Sequence, residues 1–168
     1  SGNSGRWMYY TNIRYLAESK GIAVIMPSAE NSFYMDVLVK DGCLGDFGEY
    51  VGRELVEATR DILPLSRQRE ETFISGMSMG GYGALRLAMG NPGRYCSVNC
   101  HSGCLTYGHV KYEFSTPGRE AEYRAMVGEK DTGGPFDLFT ATENCLKTGL
   151  VPKVKIDHGT EDWLLPQA

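Results

Sequence analysis

The 168-residue sequence is short of several things, and each shortage narrows what it can be. No apolar run approaches the length of a membrane span. Ser1 does not begin a signal peptide, although an upstream signal lost with the initiator methionine remains compatible with the sequence. Positive charge is not in excess: 17 Lys and Arg against 21 Asp and Glu give a net charge of −4, which removes the electrostatic argument for nucleic acid or an anionic membrane as partner. Internal repeats, low-complexity tracts and linkers are missing, so one domain over residues 1–168 is expected, and 42% hydrophobic residues suffice for a core. Cysteines number five, Cys43, Cys96, Cys100, Cys104 and Cys145, an odd count without tight pairing. That argues against a disulfide framework and for reduced thiols in a cytoplasmic protein. Cys96, Cys100 and Cys104 recur every four residues near His101 and His109. Four residues along one strand spread ligands too far for structural zinc, so no metal is expected there. Histidine is scarcest where it matters most: none follows residue 158.

What is present alternates between two periodicities. Thr11 opens a helix through Ser19 that Gly21 stops. Ile22 to Met26 is a continuous apolar run ended by Pro27, the pattern of a strand buried on both faces. Ser28 to Gly48 reads as a long polar and aromatic loop. Tyr50 to Leu63 carries Val51, Leu55, Ala58 and Ile62 on one helical face and closes at Pro64. Thr72 to Ser75, Tyr95 to Cys100 and Lys153 to Ile156 read as strands; Gly80 to Met89, Glu120 to Val127 and Phe136 to Lys147 read as helices. Strands alternating with helices predict an α/β domain, a mostly parallel sheet with right-handed crossovers and helices on both faces.

The most informative segment is Gly76-Met77-Ser78-Met79-Gly80, between a short apolar strand and an apolar helix. G-x-S-x-G in that context is the nucleophile elbow of an α/β-hydrolase fold. The turn is tight enough that a side chain at 76 or 80 is expected to strike backbone. It projects the Ser78 hydroxyl from the carboxyl edge of the sheet and aims the Met79 N–H at a developing oxyanion.

A serine hydroxyl needs a base, and the base needs a carboxylate to orient it. Asp162 follows the strand ending at Ile156 and is the favoured acid, ahead of Asp157, which closes the strand, and Glu161, which faces solvent. The usual order of the fold then demands a later histidine, and this chain has none. His101, at the end of the strand after the elbow helix, is the histidine expected near Ser78; as base it breaks the usual order, and lining the pocket is the plainer role. Phe33 and Tyr34, in the long loop, are candidates for one wall of an acyl pocket.

Phe73 to Ala88 (F-I-S-G-M-S-M-G-G-Y-G-A-L-R-L-A) closely resembles the elbow of the esterase D/S-formylglutathione hydrolase-like family, within it the tributyrin esterase/acetyl esterase branch. Ser1-Gly2-Asn3 with Trp7, Pro27 to Asp36, Glu49-Tyr50-Val51 with Glu54-Leu55, and His158 to Leu164 extend the likeness over nearly the whole chain. The resemblance implies Ser78 as nucleophile, Asp162 as acid and the Met79 N–H as one oxyanion donor. It implies a serine carboxylesterase acting on short acyl esters or thioesters through an acyl-enzyme, with a small-molecule substrate and no cofactor. It also implies that these residues are the middle of a longer enzyme, with earlier strands and a histidine-bearing segment beyond them. Acyl transfer of the mycolyltransferase type, or a catalytically incomplete binding module, are the alternatives.

Overall fold

The computed structural model describes residues 3–36, 45–106, 121, 133–134 and 136–167. Its centre is a three-stranded sheet in the order β1 (Phe73–Met77), β2 (Ser97–His101), β3 (Lys153–Asp157). All pairs are parallel and unstaggered: Met77 lies opposite His101, and His101 opposite Asp157. The three carboxyl ends therefore form one edge, where ligands of open parallel sheets bind.

Helices α1 (Arg6–Tyr10) and α2 (Ile13–Lys20) come first, and α2 ends at Gly21 in the left-handed conformation, φ 64°. Then come α3 (Phe47–Glu49), a π segment (Tyr50–Glu54) and α4 (Leu55–Ile62), forming one continuous helical stretch. Helix α5 (Met79–Gly90) follows β1, and α6 (Leu138–Thr148) precedes β3. Helix α5 is apolar almost all round, and Tyr82, Leu85 and Ala88 form the core with Val98 and Cys100 of β2 and Phe136, Leu138 and Cys145 around α6. On the opposite face, the Trp7 ring of α1 lies 6.2 Å from that of His101. Among the described residues no helix is long and apolar enough to cross a membrane.

Three expectations change. Ile22 to Met26 is not a strand, because no described strand lies alongside to complete its ladder; Ile22 and Ile25 are exposed. The helix expected from Tyr50 starts earlier, at Phe47, and passes through a π segment; of its expected apolar face only Val51 is buried, and Ile62 is 78% exposed. The elbow strand runs two residues further than expected, to Met77. The expected helix over Glu120 to Val127 falls, Ala121 apart, outside the described residues, as do His109 and Cys43.

Candidate active site

Ser78 sits between the last residue of β1 and the first of α5, with φ 58° and ψ −121°. A non-glycine residue in this region is strained and persists only where its surroundings impose it. Here its N–H donates to the His101 carbonyl at 2.9 Å, and its own carbonyl accepts from Gly81 and Tyr82 at 2.9 and 3.2 Å. The turn is compact because of Gly76: a Cβ there would lie 2.1 Å from the Gly80 carbonyl oxygen. The expected restriction at Gly80 does not hold, since a Cβ at that position meets nothing nearer than the Tyr34 hydroxyl at 3.6 Å. The collision is one-sided, a side chain at 76 against the backbone at 80. The Ser78 hydroxyl and the Met79 N–H, at the start of the twelve-residue α5, take no hydrogen-bond partner among the described residues.

Asp162 lies five residues beyond β3, in a turn closed by its own N–H donating to Gly159 O at 3.1 Å. Its Oδ1 accepts the Leu164 N–H at 2.9 Å. The Ser102 and Leu164 donors, with the nearby His158, hold its carboxyl below the usual carboxylate range. Ser102 directly follows β2, so Asp162 belongs to the same sheet edge as Ser78. Nδ1 of His158, a buried imidazole, lies 3.7 Å from Asp162 Oδ2, and neither ring nitrogen has a hydrogen-bond partner among the described residues.

His101 is differently occupied. Its Nδ1 meets Asp157 Oδ1 at 2.7 Å and its Nε2 meets the Asn99 amide nitrogen at 3.0 Å. Because the amide can only donate, the network assigns the proton to Nδ1 and leaves Nε2 as acceptor. Both nitrogens are engaged, which opposes a role as base for Ser78. Asp157, bonded to His101 and paired with Lys155 at 3.3 Å, is held below its ordinary pKa by those partners.

Phe33 and Tyr34 both have positive φ, 51° and 57°, and pack on the elbow helix. The Phe33 ring stands edge-on to Tyr82 at 6.2 Å, and the Tyr34 ring occupies the space a Cβ on Gly83 would need, 2.2 Å away. Burial pushes the Tyr34 phenol up. The Tyr34 carbonyl accepts from Arg86 Nη1 at 2.8 Å. A cavity of about 160 Å³ between this loop and α5 is lined by Asp36, Gly48, Glu49, Arg86 and Asn91, and a cleft of about 300 Å³ lies among Arg60, Arg67 and Arg94; neither includes Ser78. Among the described residues no group of three or more His, Cys, Asp or Glu is placed to hold a metal. Sequence reasoning missed Ser102, whose φ of 48° has no local signature.

The family model described as "Putative esterase" matches residues 7–149. The chain belongs to this esterase family. An acetyl esterase of Caldicellulosiruptor saccharolyticus is 33% identical over 99% of this esterase-family chain and 64% of the relative's own length. An S-formylglutathione hydrolase of Paracoccus denitrificans is 30% identical over 69% of the chain and 38% of its own length. Among solved structures, the fluorophosphonate-binding serine hydrolase FphF of Staphylococcus aureus superposes with a TM-score of 0.83 at 24% identity, covering 99% of this chain and 64% of that one. The S-formylglutathione hydrolase FrmB of the same organism gives 0.74 at 23% identity, over 98% and 63%. These likenesses identify the α/β-hydrolase fold. The esterase-family chain spans somewhat under two thirds of the length of that acetyl esterase and of both solved structures.

Proposed function

We propose that this chain carries the nucleophile and the acid of a serine carboxylesterase that hydrolyses short acyl esters. The observation that carries the reading is the backbone of Ser78, held at φ 58° where a strand becomes a helix, with the N–H of Met79 uncommitted beside it. Ser78 Oγ attacks the ester carbonyl and the alcohol departs. The Met79 N–H, at the positive end of α5, takes part of the oxyanion charge. Asp162 stays ionised to orient and charge-stabilise an imidazolium. The reading places the base on a histidine outside these 168 residues, since both nitrogens of His101 are already bonded and His158, though 3.7 Å from Asp162, makes no contact with Ser78 among the described residues. Water then releases the acyl group. The acetyl esterase relative favours a small acyl group, and Phe33 and Tyr34, packed on the elbow helix, support an apolar wall for it. The reading includes a cytoplasmic setting, which suits the free thiols of Cys96, Cys100, Cys104 and Cys145.

A fluorophosphonate probe tests the nucleophile. Label on Ser78 that is lost in Ser78→Ala supports the reading; label elsewhere, or none in a longer chain that includes the base, overturns it. Ser78→Ala is expected to lower kcat for p-nitrophenyl acetate by about a thousandfold or more. The 168 residues alone are expected to show little turnover. Robust turnover that vanishes in His101→Ala would instead make His101 the base.

A further inference from the structure

A half-buried tyrosine at the elbow keeps a hydroxyl that the fold does not use. Phe33 and Tyr34 are consecutive non-glycine residues at positive φ, 51° and 57°, a conformation that persists only where its surroundings impose it. Here the Tyr34 N–H donates to Ser32 Oγ at 3.1 Å, its carbonyl accepts from Arg86 Nη1 at 2.8 Å, and the next residue, Met35, is buried in the core. The bend turns the Tyr34 side chain onto α5. Its ring fills the place of a side chain at Gly83, and its hydroxyl stands 3.6 Å from where a Cβ on Gly80 would be. Positions 83 and 80 share one face of the helix. The side chain therefore runs toward the N-terminus of α5 and ends level with Gly80, two residues from Ser78 and about 3 Å from it along the axis.

The tyrosines of the core spend their hydroxyls internally: Tyr82 donates to the Phe136 carbonyl at 2.5 Å and Tyr95 to that of Gly52 at 3.4 Å. The Tyr34 hydroxyl has no hydrogen-bond partner among the described residues and is not sealed from solvent. Burial of the ring pushes the phenol up, so it is a neutral donor near neutral pH.

We infer that Tyr34 is a substrate-binding residue whose hydroxyl donates a hydrogen bond to an oxygen of the ester group lying on the Ser78–Met79 turn. This rests on the esterase reading of Ser78 and deepens it: the long loop then holds the ester together with the Met79 N–H of the elbow. The bend supplies this donor already ordered, so little entropy is lost when the ester arrives. An ester oxygen exchanges a bond to water for a bond to the phenol, whereas a hydrocarbon in the same place leaves the donor unpaired.

The test is Tyr34→Phe in the full enzyme, which keeps the ring on Gly83 and removes the hydroxyl alone. kcat/KM for p-nitrophenyl acetate is expected to fall about fivefold or more. Fluorophosphonate labelling of Ser78 should slow in parallel, and Tm should stay unchanged because no internal hydrogen bond is lost. Gly83→Ala places a methyl group 2.2 Å from the ring and displaces the hydroxyl without altering Tyr34 itself. It should lower kcat/KM in the wild type and lower it less in Tyr34→Phe, where the bond is already gone. A Tyr34→Phe enzyme with wild-type kcat/KM and labelling rate overturns the inference. So does a Tm that falls together with the rate, which makes the hydroxyl structural. A wild-type enzyme with neither turnover nor label on Ser78 defeats the esterase reading instead, and the ester contact falls with it.

Discussion

At the scale of single residues, geometry makes Gly76 the least replaceable position in the elbow. A methyl group 2.1 Å from the Gly80 carbonyl oxygen cannot be accommodated by turning a flexible side chain, because its neighbour is backbone. Gly76→Ala should therefore cost about 3 kcal/mol or more, seen as a fall in the urea midpoint. Gly80→Ala should be far milder. The carboxylates set a pH dependence. Asp157 and Asp162 have folded pKa values below the unfolded ones. Their stabilisation is complete above the ordinary carboxylate range, near pH 4, and is lost as pH falls through the lower folded values. Tm measured from pH 5 down to pH 3 should fall, and Asp157→Asn should flatten that fall. The elbow was legible because Gly76 and Ser78 announce a local turn. Ser102 was not, because nothing within a few residues distinguishes a serine at positive φ from an ordinary one.

At the scale of elements, helix α6 depends on the residue that caps it. Asp137 is buried, and its carboxylate accepts from the Phe139 N–H, the Gly133 N–H and the Thr140 hydroxyl at 2.9 to 3.0 Å. Asp137→Ala leaves those donors unsatisfied at a helix N-terminus and should cost about 2 kcal/mol, read from chemical denaturation. The adjoining contact between the Tyr82 hydroxyl and the Phe136 carbonyl, at 2.5 Å, ties α5 to the same segment. Tyr82→Phe should cost about 1 kcal/mol. The periodicity around α5 and α6 revealed both helices, and the runs at β1, β2 and β3 revealed the strands. The apolar run Ile22 to Met26 misled because a strand is a property of its neighbours as much as of its own residues. The start of the helical stretch at Phe47 was hidden because its anchor is distant: the Glu49 N–H donates to Asp36 Oδ1 at 2.8 Å.

At the scale of the molecule, apolar surface is unevenly covered. Helices α5 and α6 cover Val98 and Cys100 on one side of the sheet, yet on the other side Phe73 and Met77 of β1 are 57% and 59% exposed, and Val154 and Ile156 of the edge strand β3, on the same side as Val98 and Cys100, are also open. Parallel sheets are ordinarily covered on both faces. The 168 residues on their own should therefore bind a hydrophobic dye and self-associate as concentration rises, and light scattering with and without a longer chain checks this. The α/β class and the parallel order were legible from the alternation of strand and helix patterns. The pairing of His101 with Asp157 was not, because 56 residues separate partners that the sheet register places side by side.

The thiol beneath the elbow gives the fold a built-in clock. Cys100 is fully buried, its Sγ 2.9 Å from the point where a Cβ on Gly81 would stand, and burial pushes the thiol up to about 11. Iodoacetamide cannot reach it, and the thiol gives little thiolate to react, unless α5 lifts from β2. The slow alkylation of Cys100, measured against the half-exposed Cys96, therefore counts how often the nucleophile's own support opens.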